Sequence, residues 1–238
     1  MTAAASDEAY TQARIRLVGW LRRQRVANDR VLQAIGRVPR HLFVPEPYRD
    51  AAYEDRALPL GRAQTISQPT VVAMMTNALR LCGDERVLEV GAGSGYQAAV
   101  LAELAKEVFT LERLTDLAAE AAKRLHDLGY TTVTVVVGDG SGGWPDAAPY
   151  DAILVTAATP KVFPAWFEQL REGGCLVAPV GSRASQQLMR YTKFGDRPRA
   201  EDLGPCVFVP LIAEGAFPPT TPPHPLGDSV RPPNAPHT

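Results

Sequence analysis

Cysteine is scarce in this chain and strongly basic segments are lacking, which together exclude several classes of protein. The 238 residues include three cysteines, at Cys82, Cys175 and Cys206. This number is odd and no two have the short spacing of a zinc ligand set, so we predict neither a disulfide framework nor a metal site. Lysine and arginine number 25 against 26 acidic residues. Without a basic excess, nucleic acid is not expected as a partner.

Long apolar runs are also missing. No stretch approaches the roughly 20 apolar residues that a membrane-spanning helix requires. Acidic residues occur among the first ten residues, before any apolar run, which is not the pattern of a secretory signal. We therefore expect a cytoplasmic protein with no membrane partner, and a monomer.

Sequence pattern divides the chain into a central domain and two terminal segments. We predict that residues 1–10 are frayed, and that the proline-rich residues 217–238 form a disordered or extended tail. Residues 11–216 are then a single domain. Within it, residues 11–82 have mostly helical spacing, while residues 83–216 alternate between short apolar runs and helical patterns. We interpret the first part as a helical cap and the second as a cofactor-binding α/β core.

Three helices are predicted in the cap. The first extends over residues 11–26, the second is capped by Asn28, and the third begins at Pro69, because proline suits the first position of a helix. The stretch over residues 38–62 is rich in proline, arginine and aromatic side chains. We interpret it as an irregular segment dominated by loops.

Seven short apolar runs in the core are predicted to be strands. Helical patterns separate most of them, and this alternation predicts a doubly wound, mostly parallel sheet of the α/β class. The last runs have no helix between them, so the sheet is expected to end in an antiparallel hairpin. The predicted strands are Arg86–Val90, Val108–Leu111, Val133–Val137, Ala152–Val155, Cys175–Pro179, Gln187–Tyr191 and Val207–Leu211.

A glycine-rich loop follows the first predicted strand of the core and opens a helix. Ligands of open α/β sheets bind at such carboxyl ends of strands, and glycine lets a ligand lie directly against the backbone. The loop residues that we predict to contact a cofactor are Gly91, Gly93, Ser94 and Gly95.

Two residues beside this loop argue against a dinucleotide, its obvious rival ligand. The dinucleotide fingerprint needs a glycine where this chain has Tyr96. Glu89 comes just before the loop, and its carboxylate would repel a pyrophosphate but attract a cation such as the ammonium group of S-adenosylmethionine. The pattern therefore favours S-adenosylmethionine.

Two later strand ends carry further candidate residues. Glu112 ends the second core strand, 21 residues after Gly91, and its carboxylate can accept hydrogen bonds from the hydroxyls of a ribose. Gly138, Asp139 and Gly140 close the third strand, where a carboxylate can meet the amino group of adenine. Carboxylates near three successive strand ends suit a cofactor that contains adenosine.

Several runs of the chain resemble the bacterial protein-L-isoaspartate O-methyltransferase family, over roughly residues 12–217. The most specific run is Gln64–Pro69, with the sequence QTISQP. The other matching runs are Val38–Glu46, Ala52–Leu60, Gly138–Gly140, Ala148–Ile153, Thr156–Pro160, Pro179–Gly181 and Phe208–Leu211. The resemblance implies a Rossmann-like methyltransferase sheet of seven strands, S-adenosylmethionine as donor with S-adenosylhomocysteine as product, and isoaspartyl peptides and proteins as partners.

The resemblance also implies a reaction and the residues that carry it. A methyl group is transferred to the free carboxylate of an isoaspartyl or D-aspartyl residue, which starts repair through a succinimide. Ser67 corresponds to the active-site serine of the family, and Thr65 and Ile66 belong to the same substrate-binding loop. The departures from the family pattern beside this loop are Arg62, Ala63 and Thr70.

Further substrate contacts are less specific. Arg56 is a candidate contact for an anion, with a structural salt bridge as the alternative. Val209, Pro210 and Leu211 are a candidate edge strand that binds peptide backbone. Spacing alone would favour a plainer role for Ser67, as a helix cap that bonds to nearby backbone.

Two other functions remain beside repair. One is a relative that methylates normal aspartate in a dedicated peptide, although such a relative is expected to carry an added substrate-recognition domain. The other is a binding module without catalysis on the same fold, because a fold does not guarantee an activity. Failure to bind the cofactor would favour this second reading.

Overall fold

A computed structural model describes residues 3–195 and 197–219 of the chain. The α-helices are α1 (Ala3–Gln24), α2 (Asp29–Arg37), α3 (Pro69–Leu79), α4 (Tyr96–Ala102), α5 (Thr115–Asp127) and α6 (Pro164–Glu168). The strands are β1 (Leu58–Gly61), β2 (Gln64–Ile66), β3 (Arg86–Val90), β4 (Glu107–Glu112), β5 (Val133–Val137), β6 (Tyr150–Val155), β7 (Leu170–Gly181), β8 (Gln186–Thr192) and β9 (Arg199–Cys206). Short 3-10 helices cover Arg40–Phe43, Glu46–Ala51, Gly140–Gly142 and Pro145–Ala147.

Strands β3 to β9 form a seven-stranded sheet in the order β5-β4-β3-β6-β7-β8-β9. The neighbours from β5 to β7 run parallel, whereas β8 and β9 run antiparallel to their neighbours. The predicted α/β class, with a mostly parallel sheet and an antiparallel end, is confirmed. The chain order reverses between β3 and β6, so the carboxyl ends of these two strands form the switch point where open α/β sheets bind ligands.

Apolar layers cover both faces of the sheet. On one face, buried side chains of the cap helices α1 to α3 and of α4 pack against Val87 of β3 and its neighbours. On the other face, Leu88 and Val90 of the same strand pack in a second cluster around the fully buried Trp166. Because side chains alternate along a strand, residues 87 and 89 face the cap while 88 and 90 face α6.

Local sequence explains where two of the cap helices begin. The side chain of Asn28 accepts a hydrogen bond from the Val31 amide at 3.0 Å, which confirms the predicted cap of α2. Pro69 is the first residue of α3, as predicted. The cap of α3 comes from elsewhere in the chain, since the Asp55 carboxylate accepts from the Thr70 amide at 2.8 Å.

The start of the chain is more ordered than its sequence indicated. Helix α1 begins at Ala3, so the prediction of a frayed segment is wrong for residues 3–10. The Tyr10 ring stacks on His41 with 4.2 Å between ring centroids, and the Tyr10 hydroxyl donates to Asp50 at 3.4 Å. These contacts are made with residues far along the chain, which local pattern does not reveal.

An antiparallel hairpin, β1 and β2, lies at the end of the segment that we interpreted as irregular. Its turn is made by Arg62 and Ala63, whose φ angles are 52° and 54°. Two left-handed residues in succession are typical of a tight hairpin turn, but glycine and asparagine usually occupy them. The absence of those residue types explains why the hairpin was not predicted.

The last predicted strand is wrong. Strand β9 is Arg199–Cys206, and the apolar run Val207–Leu211 that was predicted instead lies outside the named strands. In this run the Phe208 amide donates to the Gln186 side chain at 2.8 Å, and the backbones of residues 209 and 211 form hydrogen bonds with Ala158. Strand β9 lies at the edge of the sheet and is paired on one side only, so it tolerates polar residues. Apolar content was therefore a misleading guide to the position of the last strand.

Most of the predicted proline-rich tail, residues 220–238, lies outside the described residues. Its first residue belongs to the folded body, since Phe217 is partly buried against the core and its amide donates to the Leu211 carbonyl at 3.1 Å. Across the part of the chain that the structure describes, no helix combines the length and the apolar character needed to span a bilayer.

Candidate functional site

A cleft with a volume of about 100 Å³ opens at the carboxyl ends of β3, β4 and β6. The predicted cofactor residues Gly91, Gly93, Ser94, Glu112, Gly138 and Gly140 line it, together with the predicted substrate residues Thr65, Ile66, Ser67, Val209, Pro210 and Leu211. The structure therefore brings most of the predicted site into one place. Four predicted residues do not line the cleft: Arg56, Glu89, Asp139 and Gly95, the last of which is the N-cap of α4.

The glycine loop is shaped by its contacts with neighbouring strands. Gly91, Gly93 and Gly95 have φ angles of 104°, 51° and 87°, which L-residues with side chains rarely adopt. A Cβ atom on Gly91 would overlap the hydroxyl of Thr156, which donates to the carbonyls of the loop at 2.6–2.9 Å. Glycine is needed here for both conformation and space.

Four amide groups of the loop are already bonded within the protein. Those of Gly91 and Ala92 both donate to the Leu111 carbonyl, at 2.8 and 2.9 Å, and that of Gly95 donates to the Ala92 carbonyl at 2.8 Å. The Gly93 amide donates to Glu112 at 3.0 Å. A pyrophosphate needs free amides at this loop, and these four are not available to it.

Glu112 is the carboxylate that faces the cleft. Its two oxygens accept from the Gly93 and Leu114 amides, each at 3.0 Å, and the side chain is nearly buried. These bonds fix its orientation and leave it lone pairs for two more donors. This is the geometry that paired ribose hydroxyls require, so the residues present fit the adenosine part of S-adenosylmethionine.

Glu89 lies beneath the cleft wall and has no exposed surface. One oxygen accepts from the Thr110 hydroxyl at 2.5 Å, and the other has no hydrogen-bond partner among the described residues. Burial raises the pKa of Glu89 to about 8, and the nearby charge of Glu112 acts in the same direction. The carboxyl group is thus mostly protonated at pH 7 in the free chain, so its attraction for an ammonium group stays a prediction.

The three residues that follow β5, Gly138, Asp139 and Gly140, lie in different surroundings. Gly138 and Gly140 line the cleft, and a Cβ on Gly140 would overlap the Val90 side chain. Asp139 is exposed at the rim, where one carboxylate oxygen accepts from the Ser141 amide at 2.8 Å. A contact of Asp139 with adenine therefore stays a prediction.

Ser67 lies where two cavities meet. The second is a smaller cavity, lined by Ala57, Thr65, Ser67, Gln68, Val71, Thr156, Val207, Phe208 and Val209. Four residues belong to both cavities: Thr65, Ser67, Thr156 and Val209. Ser67 does not cap α3, because the N-cap residue is Gln68 and Asp55 bonds to the first turn instead. The plainer role considered for this serine is thus not the one it has.

The remaining substrate candidates are placed less favourably. Arg56 is exposed and donates to Glu54 at 2.6 Å, which is the structural salt bridge considered as its alternative. Residues 209–211 line the cleft, yet they are not a free edge strand. The carbonyl of Val209 accepts from the Ala158 amide at 2.8 Å, and the Leu211 amide donates to the Ala158 carbonyl at 2.7 Å.

The structural roles of two residues near the site were not predicted from the sequence. Thr156 follows β6 and shapes the glycine loop, and its position at a strand end next to β3 was the available signal. The capping role of Asp55 was not predicted, because its partners Thr70 and Gln68 are more than ten residues away. As to metals, the described residues contain no cluster of three or more histidine, cysteine or acidic side chains able to hold an ion.

The sheet order, the glycine loop and the carboxylate of Glu112 together define an S-adenosylmethionine-dependent methyltransferase of the α/β class. A family model described as protein-L-isoaspartate(D-aspartate) O-methyltransferase matches residues 12–216. The chain belongs to this family.

Relatives and solved structures agree with this assignment. The protein-L-isoaspartate O-methyltransferase of Dictyoglomus thermophilum is 51% identical over 205 residues, which cover 86% of this chain and 93% of the relative. That of Syntrophus aciditrophicus is 49% identical over 211 residues, or 87% and 97%.

A solved protein-L-isoaspartate O-methyltransferase has a TM-score of 0.77 at 30% identity, and the match covers 82% of this chain and 65% of that one. A Plasmodium falciparum structure in complex with S-adenosyl-L-homocysteine has a TM-score of 0.72 at 23% identity, covers 84% of this chain and 98% of its own, and shows the same fold.

Proposed function

We propose that this chain methylates isoaspartyl carboxylates at the junction of the two cavities, with Ser67 as the residue that binds the acceptor. The observation that carries the proposal is that Ser67 and Thr65 line both the large cleft and the smaller cavity beside it. A methyl donor in the first and a peptide in the second would meet at this point.

The chain's own residues supply the positions for the two reactants. S-adenosylmethionine, when bound, supplies an electrophilic methyl group on a positively charged sulfur. Glu112 and the glycine loop are the groups that would hold its adenosine. The carbon–oxygen bond forms as the carbon–sulfur bond breaks, so a neutral thioether and a methyl ester are the products.

No general base is required, because an isoaspartyl carboxylate is already ionised at neutral pH. The protein contributes by alignment and by excluding water, and well-oriented reactants can gain roughly 7–11 kcal/mol over free ones. We assign the Ser67 hydroxyl to donate one hydrogen bond to the acceptor, which aims the other carboxylate oxygen at the methyl group. The next backbone nitrogen then attacks the carbonyl carbon of the methyl ester and closes a succinimide, methanol leaves with the amide proton, and this step needs no enzyme.

Turnover of two matched peptides tests the proposal. The peptides are identical except that one has isoaspartate and the other aspartate at a single position, and release of S-adenosylhomocysteine is measured for each. We expect turnover of the isoaspartyl peptide alone. Turnover of neither, with cofactor binding intact, would contradict a repair function and favour a dedicated substrate or a binding module.

Two further predictions accompany this function. A monomer and a cytoplasmic location are expected from the sequence, and both stay predictions. The proposed acceptor class, isoaspartyl proteins and peptides, is supported by membership of the family and by the small cavity beside Ser67.

A further inference from the structure

Arg40 is the most deeply buried charged side chain next to the acceptor loop. It has no exposed surface. Its Nε donates to the Ala52 carbonyl and its Nη2 to the Ser67 carbonyl, both at 2.8 Å, while Nη1 has no hydrogen-bond partner among the described residues. The guanidinium therefore lies directly behind the loop that carries the proposed acceptor-binding serine.

The charge of Arg40 is not neutralised by an ion pair. Among the described residues, no carboxylate lies within the 4.0 Å that defines a salt bridge with this side chain. Its Cζ lies 4.7 Å from the centre of the Tyr96 ring, which is a cation–π contact. Burial lowers the pKa of Arg40 and the more distant negative charge of Asp55 acts in the opposite direction, and a guanidinium stays protonated at any pH at which a protein is folded.

Burying an unpaired charge opposes folding, so a purely structural residue at this position would be better served by a neutral side chain. Two carbonyl acceptors could be satisfied by an amide group. What an amide does not provide is a net positive charge. That charge is buried in the protein, where electrostatic interactions are stronger than in water.

The charge lies within reach of the acceptor position. The Ser67 carbonyl and hydroxyl belong to one residue, so covalent geometry places the hydroxyl within about 7 Å of the guanidinium. Ser67 lines the junction of the two cavities, and Tyr96 lines the large cleft. A carboxylate that binds to Ser67 would therefore sit in the field of Arg40 without touching it.

We propose that Arg40 is a specificity-determining residue that selects an ionised carboxylate as the acceptor, by placing behind Ser67 a positive charge that no salt bridge among the described residues neutralises. The inference rests on the proposed function, because it concerns the same acceptor site. It predicts discrimination between an isoaspartyl peptide and the isosteric isoasparaginyl peptide, whose amide is neutral. If Arg40 were purely structural, its replacement would instead weaken the binding of both peptides equally.

The test compares dissociation constants of these two peptides with the protein saturated by S-adenosylhomocysteine. We expect the wild-type chain to prefer the isoaspartyl peptide, and Arg40→Gln to reduce this preference by about tenfold or more. Arg40→Lys keeps the charge and should keep most of the preference. Affinity for S-adenosylhomocysteine and the thermal unfolding temperature report whether each variant is folded.

A matched control is Arg124, a second partly buried arginine that donates to a backbone carbonyl, that of Ser94, at 2.7 Å on the cofactor side. Arg124→Gln should change cofactor affinity and leave the ratio of the two peptide constants unchanged. Equal weakening of both peptides by Arg40→Gln would overturn the proposal. Equal binding of the two peptides by the wild-type chain would also overturn the proposal, and this measurement does not depend on whether any variant folds.

The proposed function and the role of Arg40 fail in different ways. If wild-type protein turns over no isoaspartyl peptide, the proposed function fails. If it turns the peptide over but the peptide ratio does not depend on residue 40, then only the specificity role is overturned.

Discussion

The hydroxyl of Thr156 occupies the space that a Cβ atom on Gly91 would need. The same hydroxyl donates to the carbonyls of Val90 and Gly91, at 2.9 and 2.6 Å, and so ties the end of β3 to the end of β6. The cofactor loop is thus held from the neighbouring strand as well as by its own sequence. A side chain at residue 91 would have to displace this contact.

Gly91→Ala should weaken S-adenosylhomocysteine binding by more than about tenfold, because the φ angle of 104° is unsuited to alanine and the Cβ overlaps Thr156. Calorimetric titration measures this. Gly142→Ala is the control, since a Cβ there meets nothing within 4 Å and the φ angle is not left-handed. Equal affinities for the two variants would show that the loop tolerates the change.

Ser67→Ala should lower kcat/KM for an isoaspartyl peptide by about 10- to 100-fold, the usual effect of losing a hydrogen bond to a charged group. Cofactor affinity should stay within about twofold, because none of the hydrogen bonds that hold the glycine loop involves the Ser67 hydroxyl. Steady-state kinetics with Ser182→Ala, an exposed serine between β7 and β8, provide the control. Near-normal turnover with intact cofactor binding would remove Ser67 from the mechanism.

The parts of the fold set by local chemistry were predictable. The short apolar run of β3, the glycines after it, the Asn28 cap and the start of α3 at Pro69 each depend on neighbours in sequence. The residues at the carboxyl ends of strands converge because the strands are parallel. The position of the cleft could therefore be predicted from these features.

Contacts between distant residues account for most of what was missed. Tyr10 is ordered by His41, and α3 is capped by Asp55, and neither partner is close in sequence. The burial of Glu89 follows from the alternation of side chains along β3. It shares the face of Val87 beneath the cap, so it is buried rather than open to the cleft.

Stability of the cofactor-free protein should fall as pH rises from about 5 to 8 because of Glu89. Its folded pKa of about 8 lies above the ordinary value, so the folded state keeps a proton that the unfolded state releases in this range. The contribution approaches 1.4 kcal/mol per pH unit, as an order-of-magnitude estimate. Urea denaturation at several pH values measures it.

Glu89→Gln replaces the titrating carboxyl group with an amide that does not titrate, and it keeps the shape of the side chain. The difference in unfolding free energy between variant and wild type should therefore grow with pH over the same range. Other titrating groups cancel in this difference. Parallel pH profiles for the two proteins would mean that Glu89 ionises normally in the folded chain.

Ala63→Gly should stabilise the protein by about 0.5–1 kcal/mol. Ala63 has a φ of 54° in the turn between β1 and β2, a conformation that costs an L-residue about 1–2 kcal/mol, partly offset by the extra freedom that glycine has when unfolded. Ala184→Gly, in the exposed turn after β7, is the control, because its φ is not left-handed and no gain is expected. Denaturation midpoints measure both changes. If the two variants lose stability alike, the Ala63 conformation is not strained, and alanine in place of glycine in this turn is of no consequence to the hairpin.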